Sequence, residues 1–285
     1  MTAIEVTAEE LQAGKLTSDH LEQAVRAVQE EGYVVLNDVV SLDHISILRE
    51  KLLEDLPRFL AREDAPFNFN RGNVQQDPPP FEPYLFRDVL VNEFAIEVTH
   101  ALLGDGVKNG YYSGNTAMPN STSRQPPHAD SGQLWPGLKE ATPPYGLVVN
   151  VPLVDMSAKN GSTEIWPGTH RDTSVFYQHG DIKVASDQLE ARRAVFPPLQ
   201  PTVGAGSILI RDIRMWHAGM PNHTDVPRPM IAMIHWVAWW ADNDLPTFSK
   251  TAESFLKHPV LTTRARYADG EIDYIHKSQA FDFKK

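Results

Sequence analysis

The sequence predicts a mainly β protein with flanking α-helices, in which a helical N-terminal layer packs on an antiparallel β-barrel or sandwich. Apolar residues recur at helical spacing over about residues 1–105, whereas short apolar runs separated by Gly and Pro follow over about 106–240. Helices and strands also do not alternate as they do in a doubly wound fold. We therefore expect 1–285 to form a single domain, with 241–285 as a C-terminal extension.

The N-terminal layer is expected to contain three amphipathic helices and one short strand. Helical spacing of apolar residues, a capping residue at the start and a glycine at the end support the helices. The expected elements are a helix over 18–31, with Asp19 as cap and Gly32 as stop; a strand over 33–36; a helix from Ser41 to near Pro57; and a helix over about 91–103, closed by Gly104.

The stretch FNFNRGNVQQDPPPFEPY, residues 67–84, is rich in Asn and Pro and has no periodicity. Long loops in compact domains are usually functional, so we expect a lid or binding loop here. Trp135 is also expected to contact substrate. Trp236, Trp239 and Trp240 are expected to lie in the core or at an interface.

Five short runs in the second part are typical of strands, because each is apolar or alternating and is bounded by turn residues. They are Tyr111–Thr116, Tyr145–Asp155, Ser162–Trp166, Ser207–Asp212 and Met230–Trp239. A charged excursion at about 171–195 is expected to be an insertion with a helix at the rim of the barrel.

Composition restricts the possible partners. The net charge of −11 argues against nucleic acid, since phosphate binding needs a basic surface, and it favours a neutral or cationic small molecule as substrate. The 285 residues include no cysteine, so any metal must be held by His, Asp or Glu. No apolar run is long enough for a transmembrane helix, and the N-terminus lacks the pattern of a signal peptide. A cytoplasmic protein without a membrane partner is expected, and a homo-oligomer is possible.

The motif QPPHADSGQLWPG, residues 125–137, brings His128 and Asp130 two residues apart. In a strand these side chains would face the same side and could hold one ion together. Such pairs also arise by chance, as His223 and Asp225 illustrate. The pair alone therefore does not establish a metal site.

A third ligand is available in SILIRDIRMWHAGMPN, where His217 follows an apolar run. Two histidines and one carboxylate form the facial triad of non-haem Fe(II) enzymes, which leaves positions open for a keto acid and for O₂. A keto acid needs a cation for its far carboxylate, and arginine matches that group best. Arg228 lies eleven residues after His217, which predicts that the two residues occupy adjacent strands of one wall.

The order HAD, NGSTEIWPGTH, GSILIRD, WHAG and PRP resembles the phytanoyl-CoA dioxygenase family of Fe(II)/2-oxoglutarate oxygenases, over about residues 20–240. The resemblance implies a double-stranded β-helix (jelly roll, cupin-like) core. It also implies Fe(II), 2-oxoglutarate as co-substrate and O₂, with His128, Asp130 and His217 as the iron ligands.

The same resemblance implies three residues for 2-oxoglutarate. Arg228 would hold the distal carboxylate, Thr163 would assist it, and Gln125 would form a hydrogen bond with the co-substrate. The family often has a serine two residues after the distal histidine, but this chain has Gly219. Thr163 is therefore expected to make that contact alone.

Segments such as VQQDPP, LFRDVLVNEF and PRPMIAMIHW are similar to those of family members from antibiotic biosynthesis. This implies oxidation of a hydroxylated or amino-bearing natural product, including oxidative loss of an amine. Relatives that halogenate have a small residue in place of the carboxylate ligand. This chain keeps Asp130, so C–H oxidation is expected rather than halogenation.

Two other functional classes are compatible with a β-barrel. A non-oxidative metabolite-binding protein would use its histidines structurally and would not depend on iron. A redox-neutral cupin-like metalloenzyme would keep a metal but would not respond to 2-oxoglutarate.

Overall fold

The computed structural model describes residues 2–174, 182–241 and 244–282. The strands are β1 Ala3–Glu5, β2 Tyr33–Asn37, β3 Phe67–Asn68, β4 Asn70–Gln75, β5 Lys108–Ala117, β6 Gly146–Pro152, β7 Glu164–Ile165, β8 Ile208–Asp212, β9 His217–Ala218, β10 Arg228–Trp236, β11 Thr247–Ser249, β12 Thr262–Thr263 and β13 Arg266–Ala268. The α-helices are α1 Ala8–Ala13, α2 Ser18–Glu31, α3 Leu42–Leu60, α4 Arg87–Leu90, α5 Glu93–Leu103, α6 Ser186–Val195 and α7 Ala252–Phe255.

The main sheet has the strand order β1-β2-β8-β6-β10-β5-β4-β3, and β12 pairs with β5. Its centre is antiparallel: β10 pairs with β6 on one side and β5 on the other. Every residue of β6, GLVVNVP, is buried, as expected for a central strand covered on both faces.

The second sheet is smaller and carries the motifs noted in the sequence. β7 pairs with β9, and His128 forms an antiparallel bridge to His217 at the edge of that pair. Further bridges join Ile165 to Leu199 and Met156 to Val203. The two sheets form a double-stranded β-helix with flanking helices, which confirms the predicted fold class.

Apolar helix faces cover the outer side of the main sheet. Leu48 and Leu52 of α3 and Val98 of α5 are buried in the same cluster as Val34 of β2 and Val149 of β6. The opposite side of the sheet faces the second sheet and remains partly open. The helical layer thus supports one face and leaves the other free for a site.

Two local predictions need correction, and a third is confirmed where the structure describes the chain. The stretch 67–84 contains the β3–β4 hairpin, and β4 pairs with β5, so this segment extends the main sheet rather than forming only a loop. Thr17, not Asp19, caps α2 through its side chain. Of the region 171–195, residues 175–181 lie outside the described residues, and the expected helix is α6.

His217 and Arg228 do not lie on adjacent strands of one wall. His217 belongs to β9, which pairs with β7, whereas Arg228 begins β10 in the main sheet. The intervening segment crosses from one sheet to the other, so the two side chains approach the interior from opposite walls.

Within the described residues, no helix is long and apolar enough to cross a membrane.

We predict that Gly32→Ala lowers the free energy of unfolding more than Gly14→Ala does. Both glycines end a helix at positive φ, which costs about 1–2 kcal/mol for alanine. A Cβ on Gly32 would also lie 2.6 Å from His170 Nδ1, whereas a Cβ on Gly14 would meet nothing within 4 Å. Chemical denaturation should give a loss of about 1 kcal/mol for Gly14→Ala and about 2–4 kcal/mol for Gly32→Ala. Equal losses would contradict the contact with His170.

Candidate metal centre and co-substrate cavity

His128 and His217 are held side by side by their own backbones. The His128 N–H donates to the His217 carbonyl at 2.9 Å, and the His217 N–H donates to the His128 carbonyl at 2.8 Å. Asp130 follows two residues after His128. One ligand atom from each of these three residues lies within 4.8 Å of the others, so the three can hold one metal ion.

Both imidazole rings have a defined orientation. Nδ1 of His128 lies 2.9 Å from the Pro126 carbonyl, and Nδ1 of His217 lies 3.1 Å from the Met215 carbonyl. These contacts require a proton on Nδ1 and leave the lone pair on Nε2, which faces Asp130 Oδ1 at 3.9 Å and 3.5 Å respectively. Burial lowers the pKa of both histidines, so both are in the neutral form that binds metals.

The Asp130 carboxylate is oriented by Arg211, a residue of β8. Arg211 Nη2 donates to Asp130 Oδ2 at 2.5 Å, which leaves Oδ1 turned towards the histidines. Burial alone raises the pKa of Asp130, but the charge of Arg211 outweighs it and holds this pKa well below its usual range. The donor set of two neutral histidines and one carboxylate therefore fits Fe(II).

Arg228 is a buried cation without a carboxylate partner among the described residues. Its side chain is 1% exposed, and Nη2 donates to the Gly161 carbonyl at 2.8 Å. Nε and Nη1 have no hydrogen-bond partner. Burial lowers the pKa of Arg228 to about 10, so the guanidinium stays charged at neutral pH. A buried unpaired charge is costly, and a carboxylate of a bound ligand would satisfy it.

A cavity of about 430 Å³ joins the metal centre to Arg228. Thr163 and Gln125 also line it, so the structure brings all six predicted site residues to one space. Gln125 Oε1 accepts a hydrogen bond from the Gly219 N–H at 2.7 Å, and its Nε2 lies 3.4 Å from the Asn68 carbonyl.

Several other residues differ from expectation. Trp236 and Trp240 pack against the main core, as expected, but they also line the cavity, and their rings stack at 4.6 Å. Trp135 is 55% exposed and does not line the cavity. Asn150, the single polar residue within the apolar run of β6, lines it.

A second cavity of about 590 Å³ adjoins the first and shares Gln75, Tyr111 and Asp130 with it. Residues of the C-terminal extension, including Lys277 and Phe281, form one wall. The Phe281 ring packs edge-on against Phe69 at 5.2 Å, and the Phe69 ring lies 4.8 Å from that of His128.

Phe69 has a φ of 63°, which is unusual for a bulky residue, and its N–H donates to the Phe281 carbonyl at 2.9 Å. The chain end therefore covers one side of the metal centre. Neither this cover nor the role of Arg211 was found from the sequence, since both depend on contacts between distant segments.

Comparison with known proteins agrees with this geometry. The model of the phytanoyl-CoA dioxygenase family matches residues 28–230. Dioxygenase af480 of Aspergillus fumigatus is 27% identical over 214 residues, which cover 72% of this chain. The chain spans 63% of the length of that relative.

Solved structures share the fold. The non-heme alpha-ketoglutarate-dependent carbocyclase SnoK from nogalamycin biosynthesis superposes with a TM-score of 0.60 at 20% identity, over 79% of this chain and 86% of SnoK. EctD from S. alaskensis, solved with 2-oxoglutarate and 5-hydroxyectoine, gives a TM-score of 0.59 at 17% identity, over 94% of both chains.

We predict that Arg211→Met weakens binding of a divalent metal ion roughly 10- to 100-fold, the usual effect of losing a group that orients a ligand. The loss is expected because Asp130 would no longer be fixed with Oδ1 towards the histidines. Calorimetric titration with Fe(II) under anaerobic conditions measures it. Arg124→Met is the control, since Arg124 contacts Glu164 at 3.6 Å and does not line the cavity. Tighter binding in Arg211→Met would mean that charge repulsion by Arg211 outweighs its orienting effect.

Proposed function

This chain belongs to the phytanoyl-CoA dioxygenase family, a family of Fe(II)- and 2-oxoglutarate-dependent oxygenases, and we propose that it is a dioxygenase of this kind with His128, Asp130 and His217 as the iron ligands. One observation carries the proposal: these three residues converge within 4.8 Å at the same cavity that Arg228 lines, and Nε and Nη1 of Arg228 have no hydrogen-bond partner among the described residues. Binding of 2-oxoglutarate has two requirements. A metal must bind two oxygen atoms at its keto-acid end, and a cation must bind its distal carboxylate.

Arg228, Thr163 and Gln125 are proposed to bind 2-oxoglutarate. Arg228 supplies charge in a buried setting, where a carboxylate interaction is stronger than in water. Its Nη2 is already fixed by Gly161, which leaves Nε and Nη1 for the ligand. Thr163 follows two residues after Gly161 and adds a hydroxyl donor at the same end of the cavity.

Bound iron and 2-oxoglutarate would supply the oxidising power, with O₂ and the keto acid giving succinate, CO₂ and one oxygen atom for the substrate. The residues of this chain bind, orient and shield. His128 and His217 present Nε2 because their Nδ1 protons are held by backbone carbonyls. Arg211 keeps Asp130 ionised and oriented. Phe69 and Phe281 exclude water from one side of His128.

The proposed substrate is a hydroxylated or amino-bearing natural product of secondary metabolism. Ile234, Trp236 and Trp240 offer an apolar and aromatic wall for a ring system, and the carboxylates of Asp77 and Asp244 face the adjoining cavity. Such a pair of walls suits a molecule with one flat apolar face and polar or basic groups on the other. The nogalamycin-pathway origin of SnoK is in line with this role.

The proposed reaction inserts oxygen into a C–H bond. The substrate C–H becomes C–OH, one atom of O₂ enters the product, and the other enters succinate. Where the attacked carbon bears an amine, the product is a hemiaminal, which carries OH and NH₂ on one carbon. It loses ammonia and leaves a carbonyl group, so the net reaction is an oxidative deamination. The cytoplasmic location and a homo-oligomeric state stay predictions.

We predict that the anaerobic protein develops a visible metal-to-ligand charge-transfer band when Fe(II) and 2-oxoglutarate are both present. His217→Ala should abolish the band, because one of three iron ligands is lost. Arg228→Ala should raise the Kd of 2-oxoglutarate roughly 100-fold or more, since a buried charge-assisted contact is removed, while Fe(II) affinity changes little. Absorbance titration measures the co-substrate affinity, and calorimetry measures the iron affinity.

Different results point to different functions. Metal binding without a band would favour the redox-neutral metalloenzyme, and absence of metal binding would favour the metabolite-binding protein. An unchanged Kd of 2-oxoglutarate in Arg228→Ala would contradict only the role assigned to Arg228.

Substrate screening then follows with succinate release as the readout. Amino-bearing and hydroxylated polycyclic or glycosylated compounds are expected to stimulate succinate formation above the uncoupled rate. CoA thioesters are the comparison set, and stimulation by these alone would contradict the proposed substrate class.

A further inference from the structure

The side chain of Asn73 is a buried amide whose Oδ1 accepts no hydrogen bond from the residues that the structure describes. It is 4% exposed, it lines the co-substrate cavity, and Oδ1 is buried without a donor. Buried amides are nearly always hydrogen-bonded, and leaving one unpaired costs about 1–3 kcal/mol. Oδ1 is an acceptor, so its missing partner is a hydrogen-bond donor and not a carboxylate; Nδ2 is the atom of this amide that can donate to a bound carboxylate.

The main sheet aligns Asn73 with Arg228. Asn73 pairs with Ala117 across β4 and β5, and Ala117 pairs with Arg228 across β5 and β10. Residues paired across neighbouring strands project their side chains to the same face. The small side chain of Ala117 leaves space between the other two, so both Asn73 and Arg228 can reach one ligand in the cavity.

The opposite wall is shaped to admit this amide. A Cβ on Gly219 would lie 2.5 Å from Asn73 Nδ2 and 2.7 Å from Gln125 Oε1. Gly219 is not among the residues with positive φ, so its backbone would accept a serine. The absence of the serine that the family often has here is therefore explained by space, which the Asn73 and Gln125 side chains fill.

Resting on the proposed function, we propose that Asn73 is a further 2-oxoglutarate-binding residue, which donates from Nδ2 to the carboxylate held by Arg228 and takes the place of a serine at position 219. Asn73 and a residue larger than glycine at 219 are mutually exclusive in this arrangement. Asn73 with Gly219 is thus an alternative to a serine at 219. The hydrogen-bond donor comes from β4 instead of from the segment after His217.

A double-variant cycle tests the proposal, with the Kd of 2-oxoglutarate measured by anaerobic titration of the Fe(II)-loaded protein. Asn73→Ala should raise the Kd about tenfold, as expected for one hydrogen bond to a charged group. Gly219→Ser should also raise it, because the added side chain displaces Asn73 and Gln125. The double variant should bind more tightly than either single variant, because the serine then occupies freed space and supplies a hydroxyl.

Controls separate binding from folding. Asn73→Leu keeps the volume and removes the donor, so it should match Asn73→Ala in Kd even if the smaller residue disturbs packing. Asn37→Ala, at a site outside the cavity, should leave the Kd unchanged. Fe(II) affinity and the thermal midpoint should stay close to wild type in both Asn73 variants.

Two outcomes would overturn the inference while leaving the proposed function intact. One is a Kd within about twofold of wild type in both Asn73 variants, including the case in which only the KM of the organic substrate rises. The other is a double variant in which the Kd of 2-oxoglutarate rises by the product of the two single-variant increases. Such additivity would show that a serine at 219 does not replace Asn73. If the wild-type protein itself shows no charge-transfer band, the proposed function fails first.

Discussion

The reciprocal pair of backbone hydrogen bonds between His128 and His217 is the constraint on which the site depends. It joins two segments far apart in sequence and sets the separation of their side chains before any ligand is present. Asp130 lies two residues after His128, outside any strand, and its Oδ2 is held by Arg211, which leaves Oδ1 towards the histidines. The second sheet thus acts mainly as a holder for the three ligand residues, and the main sheet supplies what surrounds them.

The main sheet contributes the charges that make the cavity selective. Arg211 on β8 and Arg228 on β10 are both buried, yet they have different surroundings. Arg211 is paired with a carboxylate of the protein, whereas Arg228 contacts one carbonyl and, within the described part of the chain, keeps two nitrogens without a partner. One arginine is therefore committed to the metal ligands, and the other is available to an anion. The two arginines are distinguished by whether a carboxylate pairs with them, which residue type does not reveal.

The sequence was sufficient where function follows from local spacing. The glycine stops of α2 and α5 and the apolar runs of β5, β6, β8 and β10 are predicted close to their observed positions. His128 and Asp130 face one ion site as their spacing predicts, but His128 forms an isolated bridge and Asp130 a bend, so the strand expected for them is wrong. The sequence was insufficient where strand pairing decides. β4, with the sequence NRGNVQ, shows no apolar alternation because one of its faces lines a polar cavity, so its sequence predicts a loop. Arg211 reaches Asp130 across 81 residues, and no local pattern marks such a contact.

The backbone pairing of the ligand strands also bears on how the protein is handled. In proteins whose metal organises the fold, removing the ion unfolds the chain. Here the backbones of His128 and His217 are hydrogen-bonded to each other, the Nδ1 atoms of both histidines are held by carbonyl groups, and the Asp130 charge is balanced by Arg211. Chelation should therefore empty the centre without dismantling it. The metal-free protein is then a storable form that can be refilled by Fe(II) at the moment of use, which limits the time for which a redox-active ion is exposed to oxygen without substrate.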